Sequence, residues 1–167
     1  MPTVSPRARF IVLVCLLLVA ACGEREEAAE LSFLLDRDRW SSGTVAAGLD
    51  TRVEADGTVE HTFRLVASDL ATGEQVTFWG LAAGELVGTH SVRVFGRLAG
   101  FGGVAPRPIT NACSSNDPSI ASGTLSIENH DTEDRRLTGS FIANVCAVGE
   151  PDTTATLGDG RFVAVEY

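Results

Sequence analysis

The chain contains no lysine: its 13 basic side chains are all arginine, and they face 22 acidic ones, for a formal net charge of −9. The missing lysine reads as codon usage and carries no functional information. The acidic balance does carry some, because a surface of that sign repels phosphate backbones and anionic headgroups and so argues against nucleic-acid binding and electrostatic membrane docking. No nucleophile elbow, His-Glu-x-x-His, P-loop or dinucleotide fingerprint occurs, which removes the enzyme classes those motifs serve. Histidine is scarce, at 3 residues, and no Cys-x-x-Cys is present. Beyond residue 30 there is no sustained 3.6-residue period, so a helical domain is excluded as well.

What the sequence does contain starts with an address. Arg7 and Arg9 precede an apolar run, Phe10 to Ala21, of 12 residues. As a helix this run is about 18 Å long, short of a hydrocarbon core of roughly 30 Å, so it suits export better than a permanent span. Val19-Ala20-Ala21-Cys22-Gly23 resembles the lipobox of bacterial lipoproteins. The resemblance implies that residues 1–21 are a cleaved, helical signal peptide and that Cys22 becomes the lipidated N-terminus. Its thiol would carry a diacylglyceryl group and its amine an acyl chain such as palmitate, and two or three chains hold a protein in a membrane essentially permanently. Gly23 stands where an aspartate would retain such a protein in the inner membrane, so the resemblance favours the outer membrane where the organism has one. Residues 22–30 then form a short acidic tether, and residues 31–167 a single domain. Without the signal, 22 acids remain against 11 arginines, a formal charge of −11.

Of the 4 cysteines, Cys15 leaves with the signal and Cys22 takes the lipid. Cys113 and Cys146 remain, and in an exported domain two remaining cysteines suggest one disulfide. It closes a loop of 33 positions, for which chain entropy gives about 3 to 4 kcal/mol of stabilisation.

The rest of the chain reads as short apolar, β-branched and aromatic runs separated by Gly, Asp, Asn and Pro. Val59 to Ala67 is the clearest strand, with Val59, His61, Phe63, Leu65 and Ala67 on one face and Glu60, Thr62 and Arg64 on the other. Asp56-Gly57 forms a hairpin turn that pairs it with Leu49 to Glu54, and Thr72-Gly73 turns the chain into Gln75 to Leu81. Further strands are expected at 31–35, 90–98, 123–129, 137–148 and 161–167. About eight short antiparallel strands predict an all-β fold, a two-sheet β-sandwich or else a small β-barrel. In the strand from Leu137, alternation sets Cys146 on the face opposite Phe141, together with Ile142. The 99–122 stretch, rich in glycine and proline, is long for a connection. It reads as a stapled crossover or as a binding surface.

The order of Leu31-to-Trp40, Gly88-Thr89-His90, Gly123-to-Ile127, Leu137-Thr-Gly-Ser-Phe141 and Gly158-Asp-Gly-Arg-Phe162 resembles that in a group of small bacterial lipoproteins whose domain has no assigned function. In that group a strand ending near a tryptophan opens the domain, and a series of Gly-x-Phe strands closes it. Asp38, in place of a glycine before Trp40, and the Cys113/Cys146 pair depart from the pattern. The resemblance implies an all-β lipoprotein and carries over no catalytic residue.

The chemistry-bearing candidates are few. His61 and His90 fall within strand patterns, where a hydrogen-bonded histidine is commoner than a ligand. His130 lies in the acidic turn Glu128 to Asp134, whose carboxylates could collect Ca²⁺ but do not follow the spacing of a Ca²⁺ loop. Asp36 and Asp38 read as alternate acids on one wet strand face. No catalytic residue, metal site or cofactor is assigned. Trp40, Phe101 and His130 are taken as the candidate ligand surface, with Trp79 as a further contact aromatic if it is exposed. The sequence thus supports a lipid-anchored envelope module with a non-enzymatic role, structural or binding an envelope protein or glycan. The alternative is a Ca²⁺-dependent carbohydrate-binding module or a metal-assisted hydrolase.

Overall fold

The computed structural model describes residues 28–101, 105–113 and 123–167. Cys22, the signal segment and two pieces of the 99–122 loop lie outside the described residues. Ten strands account for most of the rest: β1 (Glu30–Leu35), β2 (Asp38–Ser41), β3 (Thr44–Val53), β4 (Val59–Asp69), β5 (Glu74–Ala83), β6 (Gly88–Leu98), β7 (Arg107–Thr110), β8 (Gly123–Asp131), β9 (Arg136–Ala147) and β10 (Glu150–Glu166). Every pairing is antiparallel, and no helix occurs among the described residues. The all-β antiparallel expectation therefore holds.

The turns form where the sequence places residues that tolerate positive φ. Gly57 (φ 87°) closes the β3–β4 hairpin, and Gly73 (φ 73°) the β4–β5 hairpin. Asp36 and Arg37 both take positive φ (51° and 97°) and make the β1–β2 turn, so Asp36 belongs to a turn and not to the face of a strand. β10 begins at Glu150, well before the expected start at Arg161, because β9 pairs with it from Ala147 back to Arg136. β2 folds back on β1 as a separate strand instead of continuing it to Trp40, and β7 is a strand inside the expected 99–122 connection.

The ten strands belong to one hydrogen-bonded sheet, in the order β2-β1-β10-β9-β7-β6-β5-β4-β3, with β8 set beside β7 between β6 and β9. The sheet rolls so that its two halves face each other over one core. Phe78 on β5 meets Phe141 on β9 at 4.3 Å between ring centroids, although two strands separate them in the sheet. Phe141 also contacts Phe33 on β1 edge-on at 6.0 Å, and Phe33 stacks on Trp40 of β2 at 4.8 Å. This arrangement has the two facing layers of a sandwich with the continuous sheet of an open barrel.

Three cross-strand pairs set a phenylalanine opposite a glycine on the core face: Phe63 with Gly80, Phe141 with Gly160, and Phe162 with Gly139. The last two are reciprocal, because Gly-x-Phe on β9 runs antiparallel to Gly-x-Phe on β10. A Cβ at Gly160 would overlap ring atoms of Phe141, and one at Gly80 those of Phe63. The rings therefore lie flat across the neighbouring strand and fill space that a side chain would otherwise take.

β6 changes partner along one edge, pairing with β8 through Gly88–Ser91 and with β7 through Phe95–Leu98. Asn111 fills the gap between them. Its Oδ1 accepts from Val94 N (3.0 Å), its Nδ2 donates to Val92 O (2.8 Å), and its own N–H donates to Val94 O (2.9 Å). A side-chain amide thus continues the ladder where no strand runs. Two residues on, Cys113 is joined to Cys146 with Cα atoms 5.4 Å apart. As alternation predicts, Cys146 lies off the core face of β9. It is nonetheless buried, and its neighbour on that face, Ile142, is 54% exposed.

Asn111→Ala leaves one buried donor and one buried acceptor of β6 without partners. It should lower the unfolding free energy by about 2 to 4 kcal/mol in a denaturant titration, with the disulfide still formed.

Candidate functional site

Burial separates the candidate aromatics. Trp40 is buried, and Phe101 is buried as well, with its carbonyl accepting from Arg107 Nη1 at 2.9 Å. Arg107 also makes a two-pronged ion pair with Glu150, which holds that carboxyl below its ordinary value of 4.5 through hydrogen bonding and charge. His130 is half-buried, and its Nε2 shares a hydrogen bond with the Tyr167 hydroxyl at 2.6 Å. Leu35, beside the β1–β2 turn, pairs with Leu157, whereas His130 pairs with Leu137 and through it with Val165. The two levels are eight residue steps apart along β10, at most about 26 Å at 3.3 Å per residue. The structure therefore does not bring Trp40, Phe101 and His130 to one surface.

Trp40 instead belongs to a buried polar cluster around Glu74, the first residue of β5. Glu74 is only 8% exposed. Its Oε2 accepts from Trp40 Nε1 (3.2 Å) and Thr72 Oγ1 (2.9 Å), and its Oε1 accepts from Ala99 N (2.7 Å). The carboxylate is met by neutral donors from β2, from the β4–β5 turn and from the segment after β6, so it ties one end of the rolled sheet to its middle. A cavity of about 250 Å³ adjoins it, with Asp36, Asp38, Arg39 and Gly100 on its walls. Among the described residues, no group of three or more His, Cys, Asp or Glu side chains is placed to hold a metal ion. In the acidic turn, Asp131 Oδ1 is occupied by the backbone N–H groups of Glu133 and Asp134, at 2.9 and 3.0 Å.

The other two histidines are engaged locally. His61 Nδ1 pairs with Thr51 Oγ1 at 2.9 Å, and His90 Nε2 with the Leu86 carbonyl at 2.8 Å. Neither meets a second titrating group in these contacts.

The outer face of the sheet is the remaining candidate. Val76, Phe78 and Gly80 of β5 point into the core, so Trp79 points out and is half-buried. In register, Arg64 of β4 and Arg93 of β6 flank it. The Arg93 guanidinium lies over the indole, 5.9 Å from its centroid. Both arginines are exposed. A depression of about 510 Å³ opens beside Trp79, floored by Leu81, Thr89, Ser91 and Arg93. It continues along the row Thr89–Ser126–Ser140–Arg161, each pair directly opposed on adjacent strands. There a second depression, of about 500 Å³, spans β8 to β10. Alternation along β5, with Val76, Phe78 and Gly80 inward, was the signal that places Trp79 outward; Trp40 and Phe101 lie outside that strand. Comparison with family models, with curated proteins and with solved structures gives no match.

Glu74→Gln keeps the shape of the side chain but offers one acceptor oxygen and an amide that opposes either Ala99 N–H or the indole N–H. Thermal and denaturant unfolding should show a loss of about 1.5 to 3 kcal/mol; an unchanged midpoint would remove the cluster from the account of sheet closure.

Proposed function

We propose that the chain is a lipid-anchored module of the cell envelope, held by acyl chains on Cys22, whose β domain serves in binding or assembly and not in catalysis. The observation that carries the reading is the buried Cys113–Cys146 disulfide. Such bonds persist in oxidising, exported compartments, and an N-terminal basic segment, a short apolar run and Val19-Ala20-Ala21-Cys22 supply the route and the anchor. The resemblance to small bacterial lipoproteins points the same way, and Gly23 favours the outer membrane where one exists. Residues 23–29 separate the anchor from β1, enough to hold the domain close to the bilayer without embedding it. A rigid antiparallel sheet whose outer face sets half-buried Trp79 between exposed arginines suits recognition, because sites on strands are held more precisely than sites on loops.

Mass spectrometry of the protein extracted from membranes tests the anchor. The expected N-terminus is Cys22 bearing diacylglyceryl and N-acyl groups, and Cys22→Ser should accumulate as unprocessed precursor. An unmodified Cys22 or a retained Met1 in the mature protein would contradict the reading.

A further inference from the structure

We propose that the outer face of β4, β5, β6, β8, β9 and β10 binds an anionic oligosaccharide laid across the strands, with Trp79 as the stacking platform and Arg64 and Arg93 pairing the carboxylates of its sugars. This builds on the reading of the domain as a binding module and names its ligand class.

Charge complementarity is the first argument. The mature chain carries 11 more acids than arginines, yet the row across Trp79 presents two exposed arginines, and among the described residues neither is in an ion pair. Guanidinium groups pair carboxylates in a fork that fixes orientation as well as charge. On the side away from Trp79, Arg64 faces Gly48 of β3, where an added Cβ would meet nothing within 4 Å, so the approach to the guanidinium is open.

The same net charge selects among anions. A dense polyanion such as nucleic acid is repelled by the molecule as a whole. A chain whose charges are sparse, with neutral polar surface between them, meets the arginines without that penalty. Uronic-acid oligosaccharides have this distribution: one carboxylate per acidic sugar, hydroxyls around the ring edge and a C–H face that stacks on an indole.

The surface beyond Trp79 matches that surface. Thr89, Ser126 and Ser140 line up on successive strands and end at Arg161, three strand spacings or about 14 Å. Ile142 (54% exposed) and Leu81 (46%) lie beside the row. Thr89 and Ser126 share one hydrogen bond, which leaves one hydroxyl proton and free lone pairs, and Ser140 donates to Glu128 Oε1 and keeps its lone pairs, so sugar hydroxyls can engage the row. Asp159 and Glu128 are the acids nearest this end; Asp50 of β3, opposite Thr62, shares the face of Arg64, where Arg64 and Arg93 together outnumber it and place the carboxylate-binding end at Trp79.

The test uses the full chain purified in a polyoxyethylene detergent, titrated with an oligogalacturonate while tryptophan fluorescence and heat are followed. Binding should perturb the half-buried Trp79, weaken as salt is raised, and fall about tenfold for each of Arg64→Gln and Arg93→Gln and at least as much for Trp79→Ala. The arginine variants alter exposed side chains and should keep the wild-type melting temperature. Equal binding of the fully methyl-esterified oligomer would overturn the role of charge. Equal binding of a polyglutamate would overturn the choice of a glycan. No binding, or binding indifferent to all three substitutions, would overturn the site. The mass of the same preparation reports Cys22 modification separately, so failure of the anchor and failure of the glycan site are distinguishable.

Discussion

The rolled sheet depends on phenylalanine rings that lie over glycines of the next strand. Phe141 is the central case: it rests across Gly160, meets Phe78 from the opposite half of the sheet and touches Phe33, which stacks on Trp40. A side chain at residue 160 would displace the ring, and its contacts with both halves would move with it. Interiors at crystal-like density leave no room for such a shift without strain elsewhere. The reciprocal pair of Phe162 and Gly139 repeats the device one step along the same two strands, so β9 and β10 are locked in register by shape as well as by hydrogen bonds.

Polar contacts complete what this packing begins. Rolling brings β2 over the start of β5, and Glu74 meets it with the Trp40 indole. Splitting the edge of β6 between β7 and β8 leaves backbone groups that Asn111 satisfies, and the disulfide two residues later fixes that segment to β9. Each is a buried polar group with its partners supplied, as the low-dielectric interior requires. The outward consequence is a broad, stiff sheet surface on which Arg64, Trp79 and Arg93 are held in one row.

Much of this was legible in the sequence, for definable reasons. Strict alternation around Phe63, Leu65 and Ala67 identified β4, and Asp-Gly and Thr-Gly marked its turns, since glycine at positive φ is a local property. The Gly-x-Phe repeats were visible too, although only the antiparallel register shows that each glycine faces the other strand's ring. What escaped reading was set at long range. Asp36 and Arg37 form a turn without glycine because β1 and β2 are pinned by Phe33 on Trp40. The first half of β10, polar and interrupted by an irregularity after Glu150 that takes in Pro151, is a strand because β9 pairs with Glu150 and with Thr154 to Leu157. Glu74 carries no local signal of burial, since two of its three donors come from positions 25 and 34 residues away. Whether an aromatic faced in or out likewise depended on register, so Trp40 and Phe101 proved to be core, whereas Trp79 faces solvent.

The most direct test of the packing account is a double-mutant cycle between Gly160→Ala and Phe141→Val, measured by chemical denaturation. With Phe141 present, the alanine should cost about 1 to 3 kcal/mol as an overpacked site. With valine at 141 the ring is gone, and the same alanine should be neutral or stabilising, because alanine loses less conformational freedom than glycine. Equal costs in the two backgrounds would mean that the ring does not hold the space above Gly160, and would contradict the account of how the sheet is rolled.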